Sequence, residues 1–412
     1  MTEVLLQIYP SLGDEEAMLA RRPIGRDNDA YQYMLDRLVD LAKAADDLGY
    51  WGMAHTEHHM HSEGMEISPS PLMLNIYAGQ HTKRLRHGQL GLVLPAHDPI
   101  RLAEEIAMAD HMLKGRLFVG MARGYQTRWQ NILCQKYGVG TAHRDDAGAD
   151  DRNRLLFSEN FKIMKMAWEN DLLSYDGPTY QVPFPYEGVP NWPPAKDITA
   201  KYGVPGEVDD EGTIKAVSVV PKPYTSPHPQ LFQAFGASES TLRWCGEEGV
   251  TPTILRGNPA DCRTLMDVYV EAAASRGRTY GLGENIGVCR TFYVVDDTKS
   301  EDAAKAEIYR RADKYESIVW KGWYGNFGHS FGDAVGQSTG QQLMESGLLI
   351  GGTVDSVKRQ VEAFLEELPV DYLVWLLHWG IMPHDEAVEQ LELFATKIMP
   401  EFGIDASALA AS

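Results

Sequence analysis

The feature that most constrains this chain is an alternation. Short runs of β-type residues take turns with amphipathic helical runs, eight times over. "VLLQIY" (4–9) predicts a first strand, and "YQYMLDRLVDLAKAADDLGY" (31–50), apolar at helical spacing and closing on Gly49, predicts a first helix. Further strands are predicted at 50–56, 87–95, 116–122, 229–235, 250–255, 286–297 and 370–377. Helices are predicted at 68–82, 97–113, 151–170, 238–249, 259–277, 300–318, 353–368 and 385–399. Asp98 reads as an N-cap with Pro99 at the first helical position, and Thr353 or Asp355 as a cap of the helix at 353–368. Eight strand–helix units predict an α/β fold, a closed (β/α)8 TIM barrel. A doubly wound open sheet competes less well, because no Gly-x-Gly-x-x-Gly turn follows the first strand. "GLGENIG" (281–287) precedes a strand instead of joining strand to helix, so it reads as an ordinary loop.

The pattern pauses twice, which places insertions after strands 4 and 7 of a single domain spanning 1–412. The first, 177–229, is dense in proline and aromatics and reads as a folded excursion, since Tyr, Phe and Trp need surfaces to pack on. The second lies within 320–350 and is rich in glycine and aromatics. It reads as a mobile lid in which Gly322, Gly325, Gly328 and Gly332 permit hinging while Trp320, Trp323, Tyr324 and Phe327 exclude water.

Composition narrows the function. A net charge of −20, from 58 acidic and 38 basic residues, argues against nucleic acid as a partner. No apolar run reaches the roughly 18 residues of a membrane span, and "MTEVLLQIYPSLGDEE" lacks the basic region and apolar core of a signal peptide. Cys134, Cys245, Cys262 and Cys289 form no CxxC pair and read as free thiols of a cytoplasmic protein.

In a TIM barrel the chemistry sits in the loops that follow the strands. After the second strand comes "WGMAHTEHHMHSEG" (51–64), with four histidines and two glutamates. Three uses compete. As metal ligands, His55, His58, His59 and His61 are spaced in no pattern that suits a helix or strand–turn, and neighbours in an extended segment point apart, so no metal is expected. His55, His59 and His61 read as structural polar residues. Glu57 and His58 read as an acid–base pair, the carboxylate fixing the imidazole. Around 235–241, Gly236, Ala237, Ser238 and Ser240 offer N–H groups and hydroxyls at a helix N-terminus, which suits a phosphate, while Glu239 would have to point away and a plain serine N-cap is the simpler reading.

"TEHH" after the second strand, "GLVLPAHDPIRLAEEIAMAD" around the third, "GRLFVGMARGY" at the fourth and "LFQAFGASESTLRW" at the fifth together resemble the bacterial-luciferase-like, flavin-dependent monooxygenases. The resemblance runs from about 4 to 400 and is densest between 30 and 130. It implies reduced FMN at the top of the barrel, reacting with O2 through a flavin (hydro)peroxide to oxygenate a small organic substrate, and the aromatics of 177–229 and of the lid favour an apolar or ring-bearing one. It also implies a homodimer, while the lack of a second nucleotide-binding pattern in the sequence points to a separate flavin reductase as functional partner. Within it His58, beside Glu57, corresponds to the catalytic base and Arg123 to the arginine on the flavin phosphate, a role that suits a bidentate guanidinium. Ala122 stands where luciferases proper carry a reactive cysteine, so light emission is not implied. Leu94, Pro95 and Ala96 fit the place of a non-proline cis peptide under the flavin ring. The same family includes deazaflavin (F420)-dependent dehydrogenases and non-catalytic flavin-binding proteins. A metal-dependent hydrolase on the same barrel is the alternative from another class.

Overall fold

The computed structural model describes residues 2–138, 147–295, 297–322 and 338–402. Eight parallel strands close into a barrel: β1 (Glu3–Ile8), β2 (Gly52–His55), β3 (Arg86–Gln89), β4 (Leu117–Ala122), β5 (Gln230–Gly236), β6 (Thr251–Ile254), β7 (Gly287–Val295) and β8 (Tyr372–Leu377). Each pairs with the next, and β8 pairs with β1 from Glu3↔Tyr372 to Ile8↔Leu377, which completes the ring. The predicted TIM barrel is therefore observed. An additional strand, Leu349–Thr353, pairs with the second half of β7. Sequence patterning gives no sign of it, because "LIGGT" is short and two of its five residues are glycine, which lacks the side chain that signals a strand.

The interior is plugged at the strands' N-terminal end by aromatics. Trp51, Phe118, Phe232 and Tyr372 form a closed ring of contacts, with centroids 5.0–5.3 Å apart along Trp51–Phe118, Phe118–Phe232, Phe232–Tyr372 and Tyr372–Trp51. Since β5 and β8 are not neighbours, the Phe232–Tyr372 contact crosses the interior. Each such pair adds about 0.5–1.5 kcal/mol to the area it buries. The ring needs room beside it: a Cβ on Gly88 would lie 2.3 Å from the Phe118 ring. Higher up, a Cβ on Gly120 would lie 1.8 Å from the Gln89 carbonyl oxygen, so β3 and β4 can approach only with glycine there.

The helices follow the predicted order: α1 (Asn28–Asp47), α2 (Pro71–Gly79), α3 (Pro99–Leu113), α4 (Ala147–Glu169), α5 (Glu239–Glu248), α6 (Pro259–Ser275), α7 (Glu301–Tyr315), α8 (Val354–Glu367) and α9 (His384–Leu393). Asp98 caps α3 by accepting from the N–H groups of Ile100 and Arg101, with Pro99 at the first position. Thr353, not Asp355, caps α8. Among the described residues no helix is long and apolar enough to cross a membrane. All four cysteines are buried free thiols.

Two compact units are distinguished: Met1–Leu92 with Phe118–Gly120 and Gln230–Ser412, and Val93–Leu117 with Met121–Pro229. The first holds the barrel wall. The second holds α3, α4 and the proline-rich segment, where Trp168 donates to the Ala103 carbonyl (3.0 Å) and Asn160 to those of Leu94 (2.9 Å) and His97 (3.2 Å). The segment is held by a two-stranded hairpin (Tyr175–Asp176 with Gln181–Val182) and by the Leu173–Val217 and Val189–Ile214 bridges. Its aromatics are less packed than the sequence suggests, since Phe184 and Tyr202 are 78% and 83% exposed. Of the lid candidates, Trp320 is fully buried, whereas Trp323, Tyr324, Gly325, Phe327, Gly328 and Gly332 lie outside the described residues.

Candidate active site

The loop after β2 is built by its own backbone. The His58 N–H donates to the Ser68 carbonyl, Gly64 N–H to His61, and Leu12 N–H to Gly64, while Ser68 Oγ donates to Thr56. These bonds fold the loop back on itself and on the β1 loop, so residues ten positions apart meet. Glu57, His58, His61 and Glu66 are all buried.

The pairing inside the loop differs from simple adjacency. Glu57 Oε1 accepts from His59 Nε2 at 2.9 Å. His58 Nε2 instead faces Glu66 Oε2 at 3.3 Å. In extended backbone, side chains two apart share a side, so Glu57 reaches His59 and not its immediate neighbour. His61 donates from Nδ1 to the Met65 carbonyl (2.8 Å), and its ring stacks on that of His58 at 5.4 Å. Burial pushes the His55 imidazole down to about 4, so this ring is neutral at pH 7.

The third strand ends on Gln89, whose amide donates to Asn75 Oδ1 at 2.6 Å. The non-proline cis peptide expected at 94–96 is at Leu90–Gly91. Leu94–Ala96 form a 3-10 turn whose carbonyl at Leu94 is taken by Asn160. That turn begins the route into α3, so a residue pair immediately past β3 is the one that carries the cis bond.

After β5, Ser238 caps α5, accepting from Thr241 N–H (3.4 Å) with the hydroxyls of Ser240 and Thr241 at 3.2 and 3.0 Å. Arg256, just past β6, donates to the Ala237 carbonyl at 2.8 Å and ties this turn to the next loop. Glu239 sits in the first turn of α5. In the second unit Ala122 ends β4, and Arg123 Nη1 donates to Asp150 Oδ1 at 2.6 Å. Burial would push the Asp150 carboxyl up, but Arg123 and Arg154 outweigh it and hold the carboxyl below its usual range. The Arg123 carbonyl accepts from Gln130 (2.7 Å) and Asn153 (3.2 Å), which fixes the backbone from which the guanidinium extends.

One cluster escapes sequence reading. Glu316 is 1% exposed and accepts from Tyr293 Oη (2.8 Å), Trp320 Nε1 (3.0 Å) and His378 Nδ1 (2.6 Å). His378 is the first residue after β8, and its ring stacks at 4.8 Å on Tyr9, the first after β1. Burial and the neighbouring Glu316 charge push the Tyr293 phenol well up, so it stays a donor. A second imidazole–carboxylate pair thus stands just past a strand's C-terminal end, assembled from residues 62 apart. The only hint in the sequence is a histidine directly after a predicted strand.

A luciferase-like monooxygenase family model matches residues 18–372. Among curated proteins, 2,5-diketocamphane 1,2-monooxygenase 1 of Pseudomonas putida is 22% identical over 385 residues, 89% of this chain and 94% of its own. The alkanal monooxygenase alpha chain of Photobacterium leiognathi is 24% identical over 293 residues, 71% of this chain and 69% of its own. Among solved structures, the oxygenating constituent of 3,6-diketocamphane monooxygenase from Pseudomonas putida, in complex with FMN, superposes with TM-score 0.71 at 19% identity over 97% of this chain and 99% of its own. The coenzyme F420-dependent tetrahydromethanopterin reductase of Methanopyrus kandleri superposes with TM-score 0.58 at 15% identity, over 97% and 99%. With the family's pattern spanning nearly the whole barrel, the chain belongs to the luciferase-like monooxygenases and is an oxidoreductase of that flavin-dependent family.

Proposed function

We propose that this protein is a two-component monooxygenase that takes reduced FMN from a separate reductase and uses O2 to oxygenate a small, apolar or ring-bearing ketone. The observation that carries the reading is the buried His58–Glu66 pair in the loop after β2, a fixed imidazole in the loop where this family's base is expected. The likeness to the diketocamphane monooxygenases, one of them named a type II Baeyer–Villiger enzyme, supports oxygen insertion beside a carbonyl.

The chain's own groups suit a phosphorylated flavin. Ser238, Ser240 and Thr241 gather hydroxyls at the N-terminus of a ten-residue helix. Arg123 is 30% exposed at its side chain and offers a guanidinium already balanced by one carboxylate. Arg123 would turn its guanidinium from Asp150 to the phosphate, while Arg154 would keep Asp150, which it holds at 3.2 Å. Bound reduced flavin supplies the activation of O2. Glu66 orients His58 through Nε2, and Nδ1 is the nitrogen proposed to accept a proton. Fixing that atom before substrate arrives removes an ordering cost from the reaction.

The test is turnover with reduced FMN under 18O2, set beside an anaerobic assay with reduced F420. One labelled oxygen in the product supports the reading; anaerobic turnover with F420 replaces it by hydride transfer. His58→Ala is expected to bind reduced FMN as the parent does but to release hydrogen peroxide in place of product. Unchanged coupling in that variant removes His58 as the base.

A further inference from the structure

The loop after β2 also gathers a set of metal donors. His58, His61 and Glu66 are each buried, and one ligand atom of each lies within 4.8 Å of those of the other two. His58 Nε2 and Glu66 Oε2 are 3.3 Å apart. Two donors each about 2.0–2.1 Å from a tetrahedral zinc ion stand about 3.3–3.4 Å from one another. The pair is therefore already spaced as one edge of such a site, and the third ligand, within 4.8 Å, has at most about 1.4 Å to close.

His61 is prepared in the way metal-bound histidines are. Its Nδ1–H is spent on the Met65 carbonyl, so the ring's other nitrogen, Nε2, is the one that can ligate. Glu66 is likewise held, its N–H donating to Ser11 Oγ at 3.2 Å. Alternation along an extended segment argues against convergence of neighbouring histidines, and it does remove His59, which turns to Glu57. The turn at Met60, with φ +62°, breaks the alternation and stacks His61 on His58. Met60 is 46% exposed and Ser62 is exposed, so the cluster lies just beneath the surface.

We propose that His58, His61 and Glu66 form a binding site for a divalent transition-metal ion of the zinc class, with solvent as fourth ligand, and that the ion inhibits the enzyme. Two imidazoles and a carboxylate are a donor set such ions favour. The ion takes the His58 Nε2 lone pair, and the ring's proton moves to Nδ1. The ring then has no lone pair left with which to accept a proton. The inhibitory consequence, though not the binding, rests on the reading of His58 as base.

The experiment titrates Co2+, then Zn2+, into the full-length protein in flavin-free buffer. One ion per chain is expected, with the strong visible bands of tetrahedral Co2+, displaced by Zn2+. Glu66→Gln and His61→Ala are each expected to weaken binding at least tenfold. His81→Ala, an exposed histidine elsewhere, binds as the parent does. Should either loop variant lose its cooperative melt, histidine ring signals of the unaltered protein decide: Zn2+ shifts those of His58 and His61 and leaves His55 in place. Absence of binding, affinity untouched by both substitutions, or no shift at His58 and His61 overturns the site. Because no flavin is present, such a failure leaves the proposed oxygenation standing. Unchanged coupling in His58→Ala removes the base and not the metal site.

Discussion

Replacing Glu316 by Leu tests whether the buried cluster at the end of β8 is a built network. Its carboxylate is 1% exposed and receives three donors, Tyr293 Oη, Trp320 Nε1 and His378 Nδ1, at 2.6–3.0 Å. Leucine fills a similar volume but accepts nothing, so three buried donors lose their acceptor. At about 1 kcal/mol each, the low end for a stranded donor, the loss is about 3 kcal/mol. Glu316→Gln keeps one carbonyl acceptor and costs less, about 1–2 kcal/mol. For a chain of 412 residues the unfolding entropy is about 0.9 kcal/mol per degree, so the leucine variant is expected to melt about 3–4 °C lower. The assay is thermal unfolding at pH 7, followed by near-UV circular dichroism, to which the buried Trp320 and Tyr293 contribute. A melt within 1 °C of the parent, with the aromatic signal intact, refutes the network as a source of stability.

Two further outcomes follow from the geometry. His55 titrates at about 4 in the folded chain against about 6.5 unfolded, so the unfolded state binds the proton first as pH falls. Stability is therefore whole above pH 6.5 and lost progressively down to about pH 4, by about 3 kcal/mol; His55→Gln should flatten that part of a urea-midpoint profile, and an unchanged profile contradicts the assignment. Gly120→Ala should fail to accumulate as folded protein, because its Cβ would lie 1.8 Å from a backbone oxygen, whereas Gly281→Ala, whose nearest neighbour is 3.6 Å away, should be tolerated; equal soluble yields of the two contradict the close approach of β3 and β4.

The barrel was legible because its signals are local and repeated. Asp98 with Pro99, and Ser238, carry helix-start chemistry in adjacent residues, and the structure uses them so. What was not legible depends on residues that meet only in three dimensions. His58 finds its carboxylate eight residues on, across a turn, because Glu57 is on the wrong side of an extended segment. His378 and Glu316 belong to different strand–helix units, so no spacing rule joins them. The cis bond at Leu90–Gly91 leaves no compositional mark, since glycine and leucine are common in strand-to-loop passages.

The role proposed for Arg123 is to bind the phosphate of a reduced flavin. Its most direct test is anaerobic titration with reduced FMN and reduced riboflavin, which differ only in the phosphate. FMN is expected to bind the parent more tightly, and Arg123→Ala to lose about 2 kcal/mol, roughly thirtyfold, of FMN affinity while leaving riboflavin unchanged. Equal affinity for the two flavins in the parent, or FMN binding indifferent to Arg123→Ala, would contradict it.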